Sequence, residues 1–122
     1  MLRTTVHRAV LSLSPGADRR APGGAVTVAL CGSWEHAPPC PLAPHHTAVA
    51  GPDEAVDVRV VFATAPDDEA EVRRRIEAAL SGSGTTGPDG TVSRWRLVET
   101  GPDELRDDER ELAARLAGAS GT

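Results

Sequence analysis

The sequence predicts an α+β protein: a two-layer sandwich in which two helices cover one face of a mostly antiparallel, four-stranded sheet. Two observations support this. Four stretches alternate apolar and other residues with the period of two that a β-strand requires, and two stretches repeat apolar residues every three or four positions, as amphipathic helices do. The predicted order is β-β-loop-β-α-β-α, and it suggests a permuted ferredoxin-like arrangement.

The first half of the chain is expected to contain two strands. Residues 4–13 alternate, and His7 falls on their apolar face. The Pro- and Gly-rich stretch 14–24 is typical of a turn-rich loop. Residues 25–34 alternate again, which places Cys31 near the end of the second strand.

The second half is expected to alternate strands and helices. Residues 56–63 predict a strand, and a helix follows with Thr64 as its cap and Pro66 in its first turn. Residues 91–100 predict the fourth strand, and the second helix should begin within 101–105. The residues expected to be buried in the two helices are Val72, Ile76, Ala79 and Leu80, and Leu105, Leu112, Ala113 and Leu116.

Length and composition indicate one domain. The 122 residues are divided into a domain at 1–117, which includes a Pro-rich loop at 31–50, and a disordered tail at 118–122. The net charge of −5 argues against binding to nucleic acid or to anionic membranes. No apolar run is long enough for a membrane span. The absence of lysine and the Ala-, Gly-, Pro- and Arg-rich composition indicate a bacterial protein, for which we expect a cytoplasmic location.

Residues 31–46 hold both cysteines and three of the four histidines. Their spacing is C-x4-H-x3-C-x4-H-H. Thiolate and imidazole are ligands of zinc and of soft transition metals. We therefore predict a metal site formed by Cys31, His36, Cys40 and His45. Zinc is the expected metal, and copper is the alternative because thiolates also suit Cu(I).

Three further residues qualify this prediction. His46 is an alternate ligand, because adjacent histidines tend to point apart and only one of the pair should reach the metal. His7 is a second alternate, although a histidine on the apolar face of a strand is more often a satisfied core residue. Glu35 and His46 are the candidate catalytic residues, as proton carriers, if the site retains an open coordination position.

Three classes of function are consistent with these residues. The first is a metal-binding protein in which the ion holds the loop or is handled by the protein. The second is a small metal-dependent enzyme of a specialised bacterial pathway that activates water or a small-molecule substrate. The third needs no metal: a protein-interaction domain, or a redox protein that uses Cys31 and Cys40.

Two helices can cover only one face of the predicted sheet, so the other face should be open. It would combine apolar and arginine side chains, and we predict a homodimer through it. The residues expected on this face are Val6, Arg8, Val10, Val92, Arg94, Arg96 and Val98.

Overall fold

The structure is a computed structural model that describes residues 2–31, 43–82, 84–86, 90 and 92–119, with the backbone alone for 31, 86, 118 and 119. Its helices and strands are β1 (Arg3–Leu13), α1 (Ala21–Cys31), β2 (His45–Ala50), β3 (Val56–Thr64), α2 (Glu69–Ser81), β4 (Gly84–Thr86), β5 (Val92–Asp103) and α3 (Arg110–Ala119). Short 3₁₀ turns precede β3, α2 and α3, at Asp53–Ala55, Pro66–Asp68 and Asp107–Glu109.

The sheet has the strand order β2-β3-β1-β5-β4, and every neighbouring pair is antiparallel. β1 lies at its centre, with Val6 opposite Val61 of β3 and Leu11 opposite Leu97 of β5. The predicted α+β class is confirmed. The described residues form five strands and three helices, however, and not the four strands and two helices expected from the sequence.

Helices lie on both faces of the sheet, which corrects the prediction of helices on one face only. α1 and α2 pack together over the main core. That core is aliphatic apart from Phe62 and Trp95. α3 packs against β1 and β3 on the opposite face, where Val6 and Val61 are buried. Alternate residues of the two central strands are therefore buried on opposite sides.

Residues 21–31 form a helix, so the strand predicted at 25–34 is wrong as far as the structure describes it. In α1, Val26 and Leu30 are buried one turn apart, while Val28 is 37% exposed. The apparent alternation arises because the helix is apolar nearly all round, as a helix packed on several sides is. Asp18 precedes α1, and its carboxylate accepts a hydrogen bond from the backbone N–H of Arg20 near the start of the helix.

Two short edge strands lie where the sequence analysis predicts no strand. β2 lies at the end of the predicted Pro-rich loop 31–50, and its residues alternate between half-buried and exposed. β4 lies inside the Gly-rich stretch 81–90 and pairs with residues 92–94 of β5. Both strands lie at the edges of the sheet, where short strands are common.

The last helix begins later than predicted. β5 continues through Asp103, and α3 starts only at Arg110. Pro102 belongs to β5 and lies opposite His7 of β1. It is tolerated there because β4 pairs only with residues 92–94, so this part of β5 is an edge where a missing N–H costs no ladder bond. α3 also extends to Ala119, into the predicted tail at 118–122.

α2 is the helix that the sequence predicts best. Val72, Ile76 and Leu80 form its buried stripe, and Glu69 and Arg73, four residues apart, form an ion pair. Thr64 is not its cap. Its hydroxyl is buried without a hydrogen-bond partner among the described residues. The Pro66–Asp68 turn leads into the helix instead, and Asp68 occupies the N-cap position.

Candidate metal site

His45 is the first residue of β2, and it faces the helical layer. In the register of β2 with β3, His45 lies opposite Phe62, which has no exposed surface. α1 packs against this side of the edge strand. Thr27 of α1 meets His45 there, with 3.0 Å between Thr27 Oγ1 and His45 Nε2. One histidine of the predicted ligand set therefore lies between the edge strand and α1.

Hydrogen bonds at both ring nitrogens define the tautomer of neutral His45. Nδ1 lies 3.2 Å from the carbonyl oxygen of Ala43. Because a carbonyl oxygen only accepts, Nδ1 carries the proton and Nε2 carries the lone pair. The Thr27 hydroxyl then donates to Nε2. A backbone carbonyl bound to Nδ1–H is a common arrangement for an imidazole that ligates a metal through Nε2.

α1 brings Cys31 to the same end of the sheet as His45. Gly23, Thr27 and Cys31 follow one another at intervals of four, and helix positions with that spacing share a face. A Cβ at Gly23 would lie 3.4 Å from Thr47 Cβ, and Thr27 contacts His45 one turn later. α1 therefore runs along β2 toward the start of the strand, and Cys31, the last residue of α1, follows after one more turn.

The remaining predicted residues of the loop lie outside the described part of the chain. These are His36, Cys40 and Glu35, and Cys31 is described by its backbone alone. Among the described residues, no group of three or more histidine, cysteine or acidic side chains could hold a metal ion. The ligand set as a whole therefore remains a prediction. The structure describes His45 and the backbone of Cys31.

His46 points away from this site. Consecutive residues of a strand face opposite sides of the sheet, and His46 is exposed on the side of α3. It lines a groove of about 250 Å³ between β2, β3 and the start of α3, together with Ala48, Arg59 and Leu112. The structure therefore does not bring the two adjacent histidines to one point.

His7 is a buried core histidine with partners on two other elements. Its side chain is 2% exposed. Arg73 of α2 donates to Nδ1 at 3.1 Å, while Nε2 lies 3.0 Å from Thr100 Oγ1 and 3.3 Å from Glu77 Oε2. Since an arginine N–H only donates, Nδ1 carries the lone pair and Nε2 the proton.

This geometry is that of a structural histidine of the core. Burial is the largest influence on its pKa and lowers it, and the Arg73 charge acts in the same direction, against the raising effect of Glu77. The nitrogen that could accept a proton already faces a guanidinium. The neighbouring Thr100 hydroxyl donates to the carbonyl of Arg8, so Thr100 and His7 do not form a nucleophile–base pair.

Arg59 is a buried charge that the sequence analysis did not identify. Its side chain is 6% exposed. It donates to both carboxylate oxygens of Glu109, at 2.9 and 2.7 Å, to Asp103 and to the carbonyl of Glu104. Hydrogen bonds from Arg59 are the main reason that the pKa of Glu109 is lowered. The pKa of Asp103 is also lowered, first by the backbone N–H of Glu104 and then by Arg59.

The Arg59 cluster joins the middle of β3 to the segment that leads into α3. The guanidinium of Arg59 lies between the carboxylates of Asp103 and Glu109, so the cluster is suited to holding α3 against the sheet. The signal that could have revealed it is the one arginine inside the most apolar strand of the chain.

Comparison of the chain with models of known protein families, with curated proteins and with solved structures found no match. In the part of the chain that the structure describes, no helix combines the length and the apolar character that a membrane crossing needs.

Proposed function

We propose that this protein binds a transition metal through Cys31, His36, Cys40 and His45, with zinc as the metal and copper as the alternative. The observation that carries the proposal is the placement of the His45 ring. Nδ1 lies 3.2 Å from the Ala43 carbonyl oxygen, and Nε2 faces α1, 3.0 Å from Thr27 Oγ1. A thiolate at the end of α1 and an imidazole at the start of β2 are ligands suited to zinc.

The same geometry supports His45 over His46 and His7 as the imidazole ligand. His45 faces α1, the helix that ends in Cys31, whereas His46 faces the α3 side of the sheet. The lone pair of His7 is occupied by the Arg73 guanidinium. His7 is also separated from β2 by β3, so it lies two strands away at about 4.8 Å per strand.

Elemental analysis of the protein purified without added metal or a His-tag tests the proposal. We expect about one equivalent of zinc or copper in the parent and none in a Cys31→Ser, Cys40→Ser double variant. His45→Ala should lose the metal, and His46→Ala on the same strand is the matched control that should retain it. A metal-free parent with two reactive thiols would contradict the proposal and favour the interaction or redox alternative.

The enzyme alternative depends on an open coordination position. A catalytic site uses three protein ligands and leaves the fourth to water or substrate. Of the two predicted proton carriers, Glu35 is then the one we propose, because His46 faces the α3 side of the sheet. Replacing the native metal by Co²⁺ and adding a small anion distinguishes the two cases. A changed visible spectrum indicates an open position, and an unchanged one indicates a filled, structural site. For an open site, Glu35→Gln should abolish proton transfer, and His46→Ala, on the other face of the sheet, is its control.

We also propose a homodimer through the part of the sheet face that α3 leaves open. Val92 and Val98 of β5 are 55% and 54% exposed, and the neighbouring Arg94 and Arg96 are exposed as well. Light scattering should give twice the chain mass for the parent and the chain mass for Val98→Lys. A parent with the chain mass would exclude the dimer.

A ferredoxin-like arrangement without permutation is our proposal for the fold family. The order β1-α1-β2-β3-α2-β5 has the βαββαβ pattern of that arrangement, with β4 and α3 as additions. The proposed cytoplasmic location continues to rest on the sequence, since cysteines reserved for a metal suit a reducing compartment.

A further inference from the structure

We infer that two copies of the chain pack their β5 strands antiparallel, with Arg96 of each copy against Glu99 of the other. The inference rests on the proposed homodimer and names the residues that orient it. The surface concerned is the open strip of β5, which consists of Val92, Arg94, Arg96, Val98 and Glu99. α3 packs over β1 and β3 on this face of the sheet, and every residue of the open strip is exposed.

A bulge in β5 brings Arg96 and Glu99 to the same face of the sheet. Residues three apart in a regular strand point to opposite faces. Here Arg96 lies opposite Ser12 of β1, and Glu99 lies opposite Val10. Because Ser12 and Val10 are only two residues apart, β5 has one extra residue in this stretch, and Val98 is the residue without a partner in β1. Arg96 and Glu99 therefore lie about 7 Å apart along one face.

The open strip carries opposite charges on the two sides of Val98. Arg94 and Arg96 precede Val98, and their side chains form no ion pair among the described residues. Glu99 follows Val98, and its side chain is 61% exposed. Its Oε1 accepts a hydrogen bond from Arg8, whereas its Oε2 has no donor in the described part of the chain. Two such strips are complementary in the antiparallel orientation, because parallel packing would place arginine against arginine.

A two-fold axis near Val98 would relate the two copies. In a symmetric dimer each contact occurs twice, so the contact between Arg96 and Glu99 gives two ion pairs. Val98, which is 54% exposed, would meet its own copy near the axis, with one ion pair on each side. An apolar centre and a charged rim are typical of protein interfaces. The valines then contribute affinity, and the charges determine the orientation.

Charge reversal tests this orientation by sedimentation velocity over a series of concentrations. Arg96→Glu and Glu99→Arg each replace two attractions by two repulsions, and each should raise the Kd of the homodimer at least about tenfold. An equal mixture of the two variants should form a heterodimer with about the Kd of the parent, because the two reversals complement each other. Native mass spectrometry with one variant ¹⁵N-labelled identifies that heterodimer. Arg74→Glu, the same change of charge on α2 on the other face of the sheet, is the control and should leave the Kd unchanged.

The mixture also separates a change of orientation from a loss of folding, because one misfolded variant does not restore another. Single variants that dimerise as the parent does would overturn the inference while leaving the proposed dimer intact. A mixture that stays monomeric when both single variants have dissociated would also overturn it. A parent with the chain mass would overturn both the inference and the proposed dimer. Metal binding is tested separately, by elemental analysis.

Discussion

Removing the side chain of Arg59 should destabilise the protein more than removing any exposed arginine. Arg59→Met deletes four hydrogen bonds and leaves Glu109, whose side chain is 13% exposed, without its charged partner. Breaking a buried ion pair by removing one partner costs about 3–5 kcal/mol. Asp103 is 39% exposed and can be rehydrated, so we expect the lower end of that range, about 3 kcal/mol.

Glu109→Gln and a double variant determine whether this cost comes from the unpaired charge. Glu109→Gln preserves the shape but weakens charged hydrogen bonds, and should cost about 1.5–3 kcal/mol. Arg59→Met combined with Glu109→Leu removes both charges, and apolar replacement of a whole buried pair is often nearly neutral. The double variant should therefore be more stable than Arg59→Met alone, although it carries one more substitution.

Urea unfolding, followed by tryptophan fluorescence and by circular dichroism, gives these free energies. Arg115→Met is the control, because Arg115 is exposed on α3 and its loss should change stability by less than about 0.5 kcal/mol. The reasoning would be refuted if Arg59→Met fell within that margin of the parent. It would also be refuted if the double variant were destabilised by the sum of its two single substitutions.

Three further predictions concern the core. Burial lowers the pKa of His7 below its ordinary value of 6.5, so the unfolded chain takes up a proton that the folded protein excludes. The free energy of unfolding should therefore fall as the pH drops below about 6.5, and His7→Gln should reduce this dependence in urea titrations at several pH values. Ile76→Ala empties a fully buried position and should cost about 2–5 kcal/mol by urea unfolding. Trp95→Phe removes the Nε1–H that bonds to the Leu80 carbonyl at 3.0 Å and should cost about 1–3 kcal/mol, measured by circular dichroism.

The sequence predicts an element well where the spacing of apolar residues within that element is enough to explain its secondary structure. β3 is a strand because its residues are apolar and β-branched, and α2 is a helix because Val72, Ile76 and Leu80 recur with helical spacing. Trp95 is a core residue, on the face of β5 opposite the exposed Arg94 and Arg96. These predictions are correct because the face that each element buries is the one that the spacing of its apolar residues indicates.

The sequence predicts a strand where the structure has helix α1, because tertiary contacts, and not a local helical period, explain the apolar residues of α1. Val26, Val28 and Leu30 alternate with small residues, which is also how a strand would appear. In the structure α1 packs against β2 and α2. Burial in these tertiary contacts stabilises a helix whose residues are apolar on most sides. The later start of α3 has a similar origin, since Pro102 is acceptable in a strand only where no neighbouring strand needs its N–H.

For the candidate site, the sequence predicts the residues but not the partners that hydrogen-bond to them. The alternation of a strand is enough to separate His45 from His46. The sequence does not identify Thr27 as a partner of His45, because the contact requires a helix where the alternation predicts a strand. Arg59 was overlooked because its partner Glu109 is 50 residues away in the chain, and no local pattern connects them.

Because β2 begins with two consecutive histidines, it would place a histidine beside α1 in either of two neighbouring registers with β3. If β2 slipped by one residue along β3, every side chain would change face, and His46 would take the place of His45 beside α1. An imidazole would thus be presented to the helix in either register. The two registers differ further along, where Val49 packs against the core and would be exchanged for alanine. The packing of Val49, four residues after His45, therefore determines which of the two histidines faces α1.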